Sequence, residues 1–191
     1  MHVRAFWTAV RRGATYGVAV FLACGAGGCR GEGRGLPPWR AEYFENRTLA
    51  GRPHYTTYHR VVDFNWVTGA PLESWVEDDF SIRWETCMRV ERLARVTFRL
   101  ASDDGARLYI DEDRIVDNWG EHGFDFGAGR TVVLNPGTYP VRVEYFEGTG
   151  FARIQLSTSI QPAEAVEWVP LPTATDEPGG GMQSCSGRDG S

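Results

Sequence analysis

The chain has 191 residues, 42% hydrophobic and 13% aromatic, enough for one packed domain with appendages. All twenty basic residues are arginine, so there is no lysine for Schiff-base chemistry or a phosphate-binding P-loop. With a net charge of −5 it also suits nucleic acid poorly, because phosphate backbones need a basic face.

Residues 1–28 read as an export signal. "MHVRAFWTAVRR" is basic and "GATYGVAVFLACGAGG" is small or apolar. The run is short and glycine-rich for a membrane span, which needs about 20 apolar residues. Removing it moves the net charge from −5 to −8, because it carries Arg4, Arg11 and Arg12 and no acid. Its end, "VFLACGAGGC", resembles a bacterial lipoprotein signal, with a small residue before both Cys24 and Cys29. Cys29 is the preferred site of lipidation because the linker-like "RGEGRG" follows it, and Cys24 is the alternative. An ordinary secretory leader with incidental cysteines is the other reading. The expected location is outside the cytoplasm, either membrane-anchored through a lipid or secreted to the cell surface.

Residues 29–38 read as a linker, 39–169 as one domain and 170–191 as a flexible Pro/Gly/Ser-rich tail. Turn signals recur through the domain every eight to fifteen residues, as in an all-β sandwich. "RAEYFEN" and "VVDFNW" are predicted strands, and "FSIRWETCM" alternates with Ile82 and Trp84 on one face. "ARVTFRLAS" alternates strictly, with Val96, Phe98 and Leu100 facing one way and Thr97 and Arg99 the other. "ARLYIDEDRIVDNW" reads as a hairpin turning at Glu112 and Asp113. "RTVVLNPGTYPVRVEYFEG" reads as a second hairpin around Asn135-Pro136-Gly137, with Val141, Val143 and Tyr145 inward. "FARIQLSTS" supplies a last long strand. Cys87 and Cys185 are candidates for a disulfide tying tail to domain, with two free thiols as the alternative. No CxxC or Cys–His spacing suggests zinc.

One stretch stands apart: "LASDDGARLYID" places two adjacent aspartates between two apolar runs. A turn needs only one Asp before its Gly. In family order the chain also carries "AEYFEN", "VDFNW", "DDFSIRW", "VTFRLASDDGARLYID", "IVDNWG", "GTYPVRVEYFEGTG" and "ARIQLS". With these pieces residues 39–160 resemble the PA-fourteen (anthrax protective antigen type) domain family. The resemblance implies an all-β fold, an antiparallel two-sheet β-sandwich. Family members occur in glycosidases, adhesins and toxins, and many act as carbohydrate-binding, lectin-like modules.

In lectin-type members the paired aspartates share a cis peptide bond and hold a calcium ion that coordinates sugar hydroxyls. That role falls on Asp103 and Asp104. Calcium takes six to eight oxygens at about 2.3–2.6 Å, so two sugar hydroxyls can complete a shell the protein leaves open. A second loop, "EGTGF", has Gly148 where many relatives have Asn. Glu147, the Thr149 hydroxyl, loop carbonyls or Asn118 would then have to supply the missing oxygen, and Trp119 is placed to stack on a sugar ring.

The plainer alternatives stay open. Asp103 or Asp104 caps the turn while Gly105 takes positive φ. Trp119 packs as core or rim, and Trp66, Trp75, Trp84 and Trp168 are structural. Asp111, Glu112 and Asp113 form a solvated hairpin tip. His54, His59 and His122 show no metal spacing.

The resemblance implies no enzyme, since the family's glycosidases carry this module beside a separate catalytic domain. The expected function is a surface-anchored, monomeric, calcium-assisted carbohydrate-binding module. Its partners would be an extracellular or envelope glycan and, through the lipid anchor, the membrane. The runner-up is a structural or protein-interaction sandwich of the envelope without a sugar site.

Overall fold

The computed structural model describes residues 38–127, 129–171 and 185. The leader, both candidate anchor cysteines (Cys24 and Cys29), the linker to residue 37 and the tail apart from 170, 171 and Cys185 lie outside the described residues.

Among the described residues eleven strands run in chain order: β1 (Trp39–Phe44), β2 (Tyr55–His59), β3 (Asp63–Val67), β4 (Phe80–Val90), β5 (Ala94–Asp103), β6 (Ala106–Ile110), β7 (Asp113–Asn118), β8 (Gly129–Leu134), β9 (Gly137–Glu147), β10 (Ala152–Gln161) and β11 (Val166–Val169). They form two antiparallel sheets. One is ordered β2-β1-β4-β9-β6-β7, with β11 also paired to β4, and the other β3-β10-β5-β8. The chain is an all-β sandwich. Its two inner faces bury alternate residues, as a strand's two-residue period requires. In β5, Val96, Phe98 and Leu100 are fully buried while Arg95 and Arg99 are exposed. Ile82 and Trp84 of β4 and Val141, Val143 and Tyr145 of β9 meet them from the other sheet. Aromatic rings fill one end: Trp66 packs on Tyr145 and Phe80, and Phe64 stacks on Trp84.

Three sequence expectations are corrected. β8 and β9 are not a hairpin. β8 pairs with β5 in one sheet and β9 with β4 and β6 in the other, so residues 135–136 cross the sandwich. Alternation reveals which face a strand buries but not which strand it pairs with. The β6–β7 turn lies at Asp111 and Glu112, with Ile110 opposite Asp113, and Asp111 takes φ 53°. β2 and β11 were not anticipated, being short and lacking a clean period.

Near the far end of β4, Cys87 is joined to Cys185 by a disulfide, with Cα atoms 5.8 Å apart.

Candidate cation and glycan site

β5 ends in one sheet at Asp103 and β6 begins in the other at Ala106, so Asp103-Asp104-Gly105 is a corner where the chain changes sheets. Three other connections cross at the same end: 68–79 from β3 to β4, 119–128 from β7 to β8, and 148–151 from β9 to β10. Crossing connections cannot continue a ladder, so their polar backbone groups must find partners elsewhere. At this end the partners are largely carboxylates.

Asp104 is 6% exposed, and its two oxygens serve two different loops. Oδ1 accepts the His122 backbone N–H at 2.7 Å and Oδ2 accepts that of Gly148 at 2.9 Å. The peptide bond joining it to Asp103 is cis. Asp104 does cap backbone groups, but across the sandwich end rather than within its own turn. Gly105 has no positive φ. It is glycine because an added Cβ would lie 2.2 Å from Phe146 Cε1 and 2.9 Å from the Gly120 nitrogen.

Beneath the corner the Tyr145 hydroxyl donates to the Asp103 carbonyl at 2.5 Å and lies 3.1 Å from Glu147 Oε2. Glu147 is fully buried, and its Oε1 has no well-formed hydrogen bond. Burial pushes the Glu147 carboxyl up to about 7, and the neighbouring Asp104 charge adds to this. Asp103 is also raised above the ordinary carboxylate value, first by burial and then by Asp104. Burial lifts the Tyr145 phenol as well, with the Glu147 charge second. Like charges gathered out of water favour proton uptake or a counter-cation.

The other sequence candidates fall around this corner with unequal roles. Gly148 sits against Asp104, and an added Cβ would lie 3.0 Å from Asp104 Oδ2 and 3.2 Å from Arg47 Cζ. Arg47 pairs with Asp79 and Glu121 there, filling space a larger residue at 148 would need. Thr149 is exposed. Asn118 leaves Nδ2 buried and unpartnered while its carbonyl faces His122 Nε2 at 3.3 Å. Trp119 is half-buried, with one face under the Arg107 guanidinium at 4.1 Å and its ring tilted against Phe146 at 4.7 Å, so it packs at the rim. His122 sits above its ordinary value. Partial burial lowers it, but the Gly123 and Asn118 carbonyls and the Asp104 and Asp125 charges outweigh this. His59 is half-buried at the edge of the core, accepting the Trp84 indole N–H on Nδ1 at 2.9 Å.

Sequence reasoning missed Tyr145 as a support, reading it only as core. A buried tyrosine must place its hydroxyl on a partner, which was the available signal. It also missed the exposed Phe126 and Phe151, at 74% and 61%, which flank the site in the loops ahead of β8 and β10. Among the described residues no group of three or more His, Cys, Asp or Glu side chains is gathered as a metal cluster. A cation at the corner would therefore lean on Asp103, Asp104, backbone carbonyls and a ligand's own oxygens.

The family model for the PA14 domain matches residues 39–168. The chain belongs to the PA14 domain family. Anti-sigma-I factor RsgI3 of Acetivibrio thermocellus is 27% identical over 129 residues, which span 68% of this chain and 19% of that protein. An anti-sigma factor domain-containing protein from Clostridium clariflavum superposes with a TM-score of 0.59 at 28% identity, covering 70% of this chain and 45% of that one. The PA14 sugar-binding domain from an RTX adhesin superposes at 0.55 and 18% identity, covering 70% of this chain and 94% of that domain. The last likeness is one of fold. This PA14 chain spans about a fifth of the curated relative and under half of the clostridial structure. No helix among the described residues is long and apolar enough to cross a membrane.

Proposed function

We propose that this PA14 chain is a carbohydrate-binding module that takes a calcium ion at Asp103 and Asp104 and presents it to glycan hydroxyls. The observation that carries the reading is the corner itself. Asp103 and Asp104 sit where four crossing connections converge, with Glu147 buried beneath them, and Asp103 and Glu147 are held above their ordinary values by burial first and by the Asp104 charge second. A hard divalent cation supplies positive charge there, and each Asp104 oxygen, holding one N–H, keeps a lone pair free. Glu147 and Tyr145 are positioning residues beneath the loop. The fold shared with a sugar-binding PA14 domain of an adhesin agrees with this reading. The module binds rather than catalyses, and it is displayed outside the cell through lipid on Cys29, or Cys24, after export.

The test is thermal melting with millimolar calcium and then with chelator. At 100 times its Kd, calcium stabilises by about 2.7 kcal/mol, a rise of several degrees for a domain this size. Asp103→Asn/Asp104→Asn abolishes the rise. A midpoint that ignores calcium in the parent protein sinks the cation reading. A glycan array run in calcium then reports the sugar.

A second reading is a structural or protein-interaction sandwich in which Asp104 only staples loops. Gly148 favours it by bringing no side-chain oxygen, as does the kinship with anti-sigma factors. Unchanged melting in calcium together with loss of fold in Asp104→Ala would support it.

A further inference from the structure

The two sheets handle their arginines in opposite ways. In the β2-β1-β4-β9-β6-β7 sheet, every strand arginine, namely Arg40, Arg83, Arg89, Arg107, Arg114 and Arg142, has a carboxylate partner within 4 Å. In the β3-β10-β5-β8 sheet the strand arginines are Arg95, Arg99, Arg130 and Arg153, and among the described residues none has one. Three of these lie on the outer face. Arg95 and Arg99 alternate with buried Val96, Phe98 and Leu100. Arg153 stands opposite Asp103 on the neighbouring strand.

We propose that the outer face of the β3-β10-β5-β8 sheet is a docking surface for an acidic polysaccharide. Positions 95, 99 and 103 follow one another along β5 at four-residue intervals, about 13 Å each. Arg95, Arg99 and Arg153 thus form a stripe roughly 27 Å long, suited to an extended polymer that repeats its negative charge rather than to a single anion. Between and beside them lie groups that bond hydroxyls. Thr97 pairs its hydroxyl with that of Thr131 at 2.8 Å, and Ser157 and Ser159 share the face on β10. Arg99 lies over Gly129, whose missing side chain leaves room for it, with an added Cβ 3.3 Å from Arg99 Cγ.

At the site end Arg153 stacks 4.1 Å above Phe124, which meets Phe126 at 5.2 Å. The Arg153 Nε is buried and unpartnered, and exposed Phe126 adds an apolar surface for a sugar ring. The strand carboxylates of this sheet are Asp63, which accepts from Gln155 at 3.2 Å, and Asp103 at the end of the stripe. The chain is acidic as a whole, but charges are screened within about 8 Å at physiological ionic strength, so the local sign decides docking. The inference rests on the glycan reading for its ligand class and is independent of calcium.

The full chain is run through gels containing alginate, neutral dextran or dextran sulfate, all in chelator, and is also floated with phosphatidylglycerol vesicles. Alginate should retard it and dextran should not, with the retardation fading several-fold between about 50 and 200 mM salt. Arg95→Gln/Arg99→Gln/Arg153→Gln should weaken alginate binding at least about tenfold, since charge-assisted contacts to an anion are the strong ones. Arg89→Gln/Arg92→Gln, on exposed arginines outside the stripe, should leave it unchanged. Circular dichroism confirms that each variant folds. Dextran sulfate, also an acidic polysaccharide, should bind as well, and retardation by neutral dextran equal to that by alginate would overturn the role of charge. Vesicle binding without alginate binding overturns the proposal in favour of a membrane surface. A folded triple variant that binds alginate like the parent overturns it outright. Retardation seen only with calcium restored would reassign the ligand to Asp103 and Asp104. Failure of the stripe with an intact calcium melting shift would leave the cation reading standing.

Discussion

At the residue scale the corner works by close approach. Gly105 is held by contact, so Gly105→Ala drives a methyl group into the Phe146 ring and the Gly120 backbone. Overpacking of this kind costs about 1–3 kcal/mol, expected as a lower urea midpoint with an unchanged slope. Glu147 offers a sharper test because its direction is fixed. Its carboxyl titrates near 4.5 when free and is pushed up to about 7 in the fold. The native state therefore keeps a proton that the unfolded chain releases between those values. Its stabilising contribution is complete below pH 4.5 and is lost as the pH rises to about 7. Melting in chelator should fall by a few degrees over that interval, and Glu147→Gln should flatten the profile. A steep profile in the Gln variant would move the effect to Asp103, which is raised in the same sense.

At the element scale, legibility followed burial. β5 was plain in the sequence because Val96, Phe98 and Leu100 alternate with arginine and threonine. β9 and β10 were legible for the same reason. The β8–β9 hairpin was misread because period two names a face and leaves the partner strand open, which only the two-sheet topology settles. The Asp103-Asp104 pair stood out through its motif, while its supports did not. Tyr145 and Glu147 are spaced as ordinary strand residues, and nothing local tells a core tyrosine from one that carries a loop. β11 escaped notice as four residues ahead of a tail-like stretch, yet it pairs with β4 beside Cys87. The Cys87–Cys185 bridge ties that strand's surroundings to the tail across a separation of 98 residues. Closing so long a loop stabilises by about 4–5 kcal/mol in the chain-entropy account. Cys87→Ser/Cys185→Ser should melt well below the parent in the absence of reductant, and reductant should bring the parent down toward it.

At the scale of the whole molecule, the sandwich divides its chemistry by face and by end. Among the described residues one outer face neutralises its own charges, the other leaves arginines without a carboxylate partner, and one end gathers carboxylates where the chain repeatedly changes sheets. That last feature bears on time as well as on equilibrium. Asp104 holds loops that lie 18 and 44 residues further along the chain, so its contacts are expected to close late in folding. Interactions completed last are absent from the folding barrier and act on escape from the native state. An ion seated at this corner should therefore leave the refolding rate almost untouched and lengthen the native lifetime. The module would then behave outside the cell as a clasp, slow to open for as long as calcium is present.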